Sequence, residues 1–147
     1  MPLIQVTAPE GALSNAVLKA ERAPIEDSGA QSLVWAHYTT LPEGSCYVGG
    51  QAIENPPLRI AVTTPEGALN DKTRKELVGE IGSIVDDIVG PFEGRLNHWA
   101  MLYEVKEGSW AGAGQVFGLA DIQAISKRRP ELRADQESLQ LAHFENE

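Results

Sequence analysis

The chain has one cysteine, Cys46, in 147 residues, so it can form no internal disulfide and no multi-cysteine zinc site. A single cysteine fits a reducing compartment. No stretch approaches the roughly 20 consecutive apolar residues of a membrane span, and no apolar run of signal-peptide length opens the sequence. The expectation is a cytoplasmic protein with no membrane partner. Basic residues are scarce: 12 Lys+Arg against 21 Asp+Glu give a net charge of −9, a field that repels a phosphate backbone and argues against nucleic acid as a partner. The three histidines, His37, His98 and His143, lack metal-ligand spacing, so no metal is expected. Gly112, Gly114 and Gly118 miss dinucleotide spacing by one residue and are not expected to open a helix, and no cofactor is expected. Lys127, Arg128 and Arg129 precede a proline and an acidic tail and read as solvated surface.

What is present is 42% hydrophobic sequence, enough to build a core, and an internal repeat. IQVTAPEGAL at 4–13 aligns without a gap on IAVTTPEGAL at 60–69, with eight of ten positions identical and an offset of 56. A second match pairs Trp35, Ala36, Glu43, Gly44, Ser45, Gly50 and Gln51 with Trp99, Ala100, Glu107, Gly108, Ser109, Gly114 and Gln115 at an offset of 64. The chain therefore reads as one domain, 1–147, with repeat units 1–56 and 57–118 and a C-terminal extension 119–147.

The second unit shows the local plan. Residues 58–64 are apolar and β-branched enough for a buried strand, and Pro65-Glu66-Gly67 punctuates it as a turn. Asn70 is suited to cap a helix in which Leu77, Val78, Ile81, Ile84, Val85, Ile88 and Val89 form one apolar stripe, ended by Gly90-Pro91. A strand near 97–105 then leads into a Gly-rich turn at 111–118. Two such β-α-β units predict an α+β fold, a four-stranded sheet with helices on one face. The offset grows by eight (64 − 56), so the first unit is shorter across its helix. Ser14 can cap that helix and Pro24 should stop it, leaving at most nine helical residues, 15–23, anchored by Val17 and Leu18. Sheet left uncovered by so short a helix needs another cover: the stretch after Pro130, with Leu132, Leu139, Leu141 and Phe144, or a neighbouring subunit.

Pro2 is the candidate catalytic residue. Removal of Met1 would make it the amino terminus, where a secondary amine is both base and nucleophile. An α-amino group titrates near about 8, and apolar surroundings favour its neutral form. A Met-Pro start also serves processing alone, so the residue acquires meaning from its context.

That context is a resemblance. MPLIQVTAPEGALS, the repeated β-α-β unit and the Gly-rich ends SCYVGGQ and SWAGAGQ resemble the tautomerase superfamily, whose members use an amino-terminal proline, over residues 2 to about 118. The duplication is similar to the fused members, the cis-3-chloroacrylic acid dehalogenase group and the fused 4-oxalocrotonate tautomerases. The resemblance implies a homotrimer of fused chains with one amino-terminal proline per chain, because the position matching Pro2 in the second unit is Leu58. It also implies carboxylate-gripping arginines that this chain lacks. The place after the Glu-Gly turn is Ala12 and Ala68, the second-strand place is Trp35 and Trp99, the aromatic place at the far end of that strand is Cys46 and Trp110, and the dehalogenase arginines around the second turn meet Pro65 and Ala68.

Paired guanidinium–carboxylate bonds orient a substrate and stabilise its enolate. Without the family pair, a dicarboxylate gives way to a less anionic keto-enol compound held against indole faces. The expected substrate-binding residues are Trp99, Trp110, Pro65, Ala68, His37 and Tyr103. His37 and Tyr103, on the second strands, could donate to a developing oxyanion; each is equally readable as a structural ring with a hydrogen-bonded polar tip, and the tryptophans as core. Arg59 should face away from the side that Leu58 faces, and Glu10 and Glu66 read as turn residues rather than acid–base groups. The leading reading is a cofactor-independent keto-enol tautomerase acting on a small molecule, with hydration, dehalogenation or decarboxylation as related chemistries. The alternative is a non-catalytic protein of the same fold that binds a hydrophobic small molecule or serves only assembly.

Overall fold

A computed structural model describes residues 3–12 and 34–127, and the structural statements that follow concern those residues. Pro2, the short helix expected over 15–23 and the stretch after Pro130 lie outside them. Eight strands and two helices run in the order β1 (Leu3–Pro9), β2 (Trp35–Leu41), β3 (Tyr47–Val48), β4 (Gln51–Ala52), β5 (Leu58–Pro65), α1 (Asp71–Val89), β6 (His98–Val105), β7 (Ala111–Gly112), β8 (Gln115–Val116) and α2 (Leu119–Lys127). Four strands form one mixed sheet in the order β2-β1-β5-β6, and β3-β4 and β7-β8 are small hairpins.

The sequence repeat reappears as strand register. β1 lies parallel to β2 with Leu3 opposite Trp35, β5 lies parallel to β6 with Arg59 opposite Trp99, and β1 runs antiparallel to β5 with Gln5 opposite Ala61. Gln5 and Ala61 are themselves repeat partners (5 + 56), so a pseudo-twofold axis passes between them. The partner offset is 32 in the first pair and 40 in the second, and the difference of eight matches the shortening of the first unit. The insertion therefore lies between the strands and leaves their pairing unchanged. The hairpins repeat as well: the Ile53 N–H donates to the Cys46 carbonyl at 3.2 Å, and the Phe117 N–H to the Trp110 carbonyl at 2.8 Å.

α1 begins where expected. The Asn70 side chain accepts from the Thr73 N–H at 2.9 Å, and the Thr73 hydroxyl accepts from the Asn70 N–H at 2.8 Å, a reciprocal cap that satisfies two otherwise orphaned donors. Gly90 ends the helix at φ 74°, a conformation glycine adopts without a Cβ penalty. Leu77, Ile81, Val85 and Val89, one per turn, pack with Ile4, Val6, Ala8, Leu58, Ile60, Val62 and Leu102 into the core. The expected stripe is narrower than the sequence suggested: Val78 and Ile84 are exposed, 39% and 53%. Each sits one residue from a core position, about 100° around the helix and off the buried side.

α2 differs from expectation, since a helix does follow Gly118. Gly118 serves as its N-cap, its N–H donating to Asp121 Oδ2 at 2.8 Å, while both Glu107 carboxylate oxygens accept from the Leu119 N–H at 3.3 Å. Ile122 anchors this helix in the interior. Gly-x-x-Asp before an apolar pair was the available sequence signal.

Candidate functional site

Strand alternation divides the sheet into two chemically different faces. Even-numbered residues of β1, β5 and β6 face α1: Leu58, Ile60 and Val62 are buried, and Glu104 reaches Arg74 on the helix at 2.5 Å. Odd-numbered residues face the other way and form three rows across the four strands: Trp35, Leu3, Thr63, Tyr103; then His37, Gln5, Ala61, Met101; then Thr39, Thr7, Arg59, Trp99. This face is open. Trp35 is 60% exposed, Trp99 57% and Tyr103 47%.

Of the expected substrate-binding residues, the structure thus brings Trp99, Tyr103 and His37 to one face, with His37 on the far outer strand. The two tryptophans are not core residues of the described chain. Pro65 is buried at the end of β5, where its carbonyl accepts from the Ala68 N–H at 3.1 Å across a turn that holds Gly67 at φ 84°. The first unit repeats this turn, with Ala12 donating to Pro9 at 3.1 Å and Gly11 at φ 79°. Pro65 and Ala68 therefore stand at the sheet's end, apart from the open rows. Trp110 is half-buried in the loop after β6, where its carbonyl closes the β7-β8 hairpin. Glu66 is a turn group, as its place in the repeat implied: Oε2 accepts from the Glu107 N–H at 2.9 Å, and its own N–H donates to the Val105 carbonyl at 2.8 Å.

Arg59 lies on the open face as well. It does face away from buried Leu58, and that orientation places it on the open face beside Trp99. Its Nη2 donates to Tyr103 Oη at 3.2 Å, and that hydroxyl donates onward to Met101 Sδ at 3.5 Å, a weak contact. Ala61, in the row between Arg59 and Tyr103, is only 1% exposed even though it is on this face, so longer side chains lie over it. Among the described residues, Arg59 is the only formally charged side chain in the three open rows.

Two other arginines are engaged elsewhere. Arg74 binds both Glu104 and Asp71, and these carboxylates, Glu104 first, raise its pKa above the ordinary guanidinium value. Arg95 donates to the Asn55 carbonyl and lies 4.6 Å from the centre of the Phe92 ring. Asn97, immediately before β6, is a buried polar hub. Its Nδ2 donates to Asp86 Oδ1 at 2.7 Å and the Gly90 carbonyl at 3.0 Å, and its Oδ1 pairs with His98 Nδ1 at 2.6 Å. The hub ties the end of α1 to the strand that carries Trp99 and Tyr103. Among the described residues no group of three or more His, Cys, Asp or Glu side chains is placed to hold a metal ion.

No protein-family profile matches the chain, and no curated protein sequence matches it. Solved structures do match. A member of the cis-3-chloroacrylic acid dehalogenase family superposes with a TM-score of 0.64 at 14% identity, covering 92% of this chain and 99% of that one. A fused 4-OT solved as an asymmetric trimer gives 0.61 at 17% identity over 78% and 94% of the two chains. Pt0534, solved after inactivation by 2-oxo-3-pentynoate, gives 0.61 at 22% identity over 80% and 97%. The fold is an α+β sheet built from duplicated strand pairs. It is the fold of the fused tautomerase-superfamily structures, and it spans nearly the whole length of each of these three.

Proposed function

We propose that the chain is a cofactor-independent tautomerase-like enzyme in which Pro2, freed by removal of Met1, is the general base. The observation that carries this reading is the register of the two units: the duplicated strands pair about a pseudo-twofold axis as fused tautomerase folds require, and Pro2 immediately precedes the first of them. In the proposed step the neutral amine takes the proton of an enol hydroxyl. The oxygen's electrons form the carbonyl, the double-bond pair moves to the neighbouring carbon, and the prolinium returns its proton there. The reaction is an isomerisation with no net gain or loss of electrons.

The substrate is read as a keto-enol compound less anionic than a dicarboxylate, because Ala12 and Ala68 supply no cation at the turns. Trp99, Tyr103 and His37 are assigned to its binding through the open face, and Trp110, Pro65 and Ala68 through the sheet end. The working assembly is read as a homotrimer, supported by the asymmetric trimer of the similar fused 4-OT. The domain is read as 1–147, with units 1–56 and 57–118 and the extension 119–147 that contains α2. The location is read as cytoplasmic; no helix among the described residues is long and apolar enough to cross a membrane.

Incubation with 2-oxo-3-pentynoate, followed by intact-mass measurement and peptide mapping, tests the base. A chain that lacks Met1 and carries one adduct on Pro2 is expected. Pro2→Ala should then lose most activity on a keto-enol substrate. A retained Met1 would instead support the non-catalytic reading, which the alanines at both turns favour, and an unchanged rate in Pro2→Ala would sink the proline mechanism.

A further inference from the structure

We infer that Thr64 is a positioning residue for Pro2, its hydroxyl accepting the N–H of the free amino terminus so that the nitrogen's lone pair stays open to substrate. This role rests on the reading of Pro2 as the base. Thr64 is 6% exposed, and among the described residues its Oγ1 is the one buried side-chain oxygen or nitrogen with no hydrogen-bond partner. Taking a hydroxyl out of water costs free energy unless a polar group meets it in the interior. The described chain supplies none, so the partner comes from elsewhere.

Strand register indicates the source. β1 and β5 pair antiparallel from Leu3 opposite Thr63 to Thr7 opposite Arg59. One step past Thr7 and Arg59 are Ala8 and Leu58, which are both buried in the core cluster. One step past the other end, Thr64 faces the point where residue 2 enters β1 through its peptide bond to Leu3. The pseudo-twofold axis exchanges these two ends, since Pro2 corresponds to Leu58 and Ala8 to Thr64 at the repeat offset of 56. Residues directly opposite on antiparallel strands hold their Cβ atoms about 4.5–5.5 Å apart, a spacing that a hydroxyl and an amine can bridge. The repeat sharpens the assignment: IQVTAPEGAL and IAVTTPEGAL differ at two positions only, and one of them is Ala8 against Thr64. Opposite aliphatic Leu58 the chain has a methyl group, and opposite the entry of the proposed base it has a hydroxyl.

A free prolyl amine carries one N–H when neutral and two as prolinium. Oγ1 accepts one of them in both states, which leaves the remaining site on nitrogen to exchange the substrate's proton. The bond to the charged form is the stronger, so Thr64 also favours prolinium. Among the described residues, the charged groups facing this side of the sheet near Thr64 are Glu104, in register with it on β6, and Arg74 and Asp71 of α1. Arg74 binds both carboxylates, and a change at Thr64 leaves all three in place.

The rate at which 2-oxo-3-pentynoate alkylates Pro2 in the full chain, followed by intact mass across pH, reports the state of the amine. Thr64→Val keeps the side-chain shape and should move the midpoint of that profile about one pH unit lower, with a severalfold lower plateau. Thr64→Ala, which copies Ala8, should do the same, so that the outcome does not hang on the folding of one variant. Thr64→Ser should restore the parent profile, and Thr63→Val, which removes a hydroxyl from the opposite face, should leave it unchanged. Urea midpoints show which variants are folded. An unchanged profile in a folded Thr64→Val or Thr64→Ala, a Thr64→Ser profile that follows the valine variant, or an equal shift in Thr63→Val would overturn the role of Thr64 while leaving Pro2 as the base. A parent chain that takes no adduct on Pro2 would instead remove the base, and the role of Thr64 with it.

Discussion

Replacing Asn97 by leucine should cost about 2 kcal/mol of stability. Asn97 is 6% exposed and its side chain makes three hydrogen bonds: to Asp86, to the Gly90 carbonyl and with His98. A bond of this kind contributes about 1 kcal/mol net, and a charged acceptor would raise that figure if it were buried. Asp86 is exposed, so water replaces the lost donor and the charged bond counts at the low end. The three together are worth about 3 kcal/mol. Leucine has the same number of side-chain heavy atoms, leaves little void, and returns about 1 kcal/mol by burying apolar surface. The Leu58 N–H bond to the Asn97 carbonyl at 2.9 Å belongs to the backbone and survives. Urea unfolding at fixed chain concentration reads the effect as a midpoint lowered by roughly 1 M with an unchanged slope. Asp86→Asn, which changes only the exposed partner, should cost roughly 0.5 kcal/mol. A native-like midpoint in Asn97→Leu, or an equal loss in Asp86→Asn, would refute the view that the hub is held by its buried bonds.

Other perturbations separate the remaining forces. Leu58→Ala removes a side chain only 2% exposed at the centre of the core and should cost about 2–5 kcal/mol in the same unfolding assay; a loss below about 1 kcal/mol would mean that the sheet collapses onto the cavity. Gly67→Ala forces a Cβ into φ 84° and within 3.3 Å of Leu119 Cδ2, so it should destabilise by about 1 kcal/mol or more, whereas Gly44→Ala, at φ 75° with nothing nearby, should show the backbone cost alone. Arg74 has its pKa raised by Glu104 and then Asp71, so its favourable contribution is complete below the ordinary guanidinium range and is lost only in strong alkali, as pH rises through the raised folded value. Arg74→Gln should therefore shift the urea midpoint equally at neutral pH and at about pH 9, and a clear difference between the two would show that another group titrates with it.

Much of the fold was legible because it rests on short-range rules applied twice. The eight identities between 4–13 and 60–69 announced a duplication, and the change of offset from 56 to 64 placed the length difference in the connection rather than in the strands. Asn70 and Gly90 bounded α1 through chemistry that acts within one helical turn. α2 was missed because its start depends on Glu107, twelve residues away, as well as on the local Gly118 and Asp121 pair. The placement of the candidate residues was legible only in part. Strand alternation could put Trp99, Tyr103 and His37 on one face, but the backbone bonding of Trp110, Pro65 and Ala68 in a hairpin loop and a turn at the sheet's end depends on the folded chain.

By itself the sequence determined the repeat, the alternation of the strands, the caps of α1 and the absence of arginines after both turns, because each depends on residue identity and nearby spacing. Only the tertiary structure decided that β1 and β5 meet antiparallel in register at Gln5 and Ala61, and with that pairing everything on the open face. Arg59 and Tyr103 are 44 residues apart, and no local rule relates them. Their contact exists because parallel pairing of β5 with β6 lays both on one face, with small Ala61 between them, and a shift of that register by one residue would send Tyr103 to the side covered by α1.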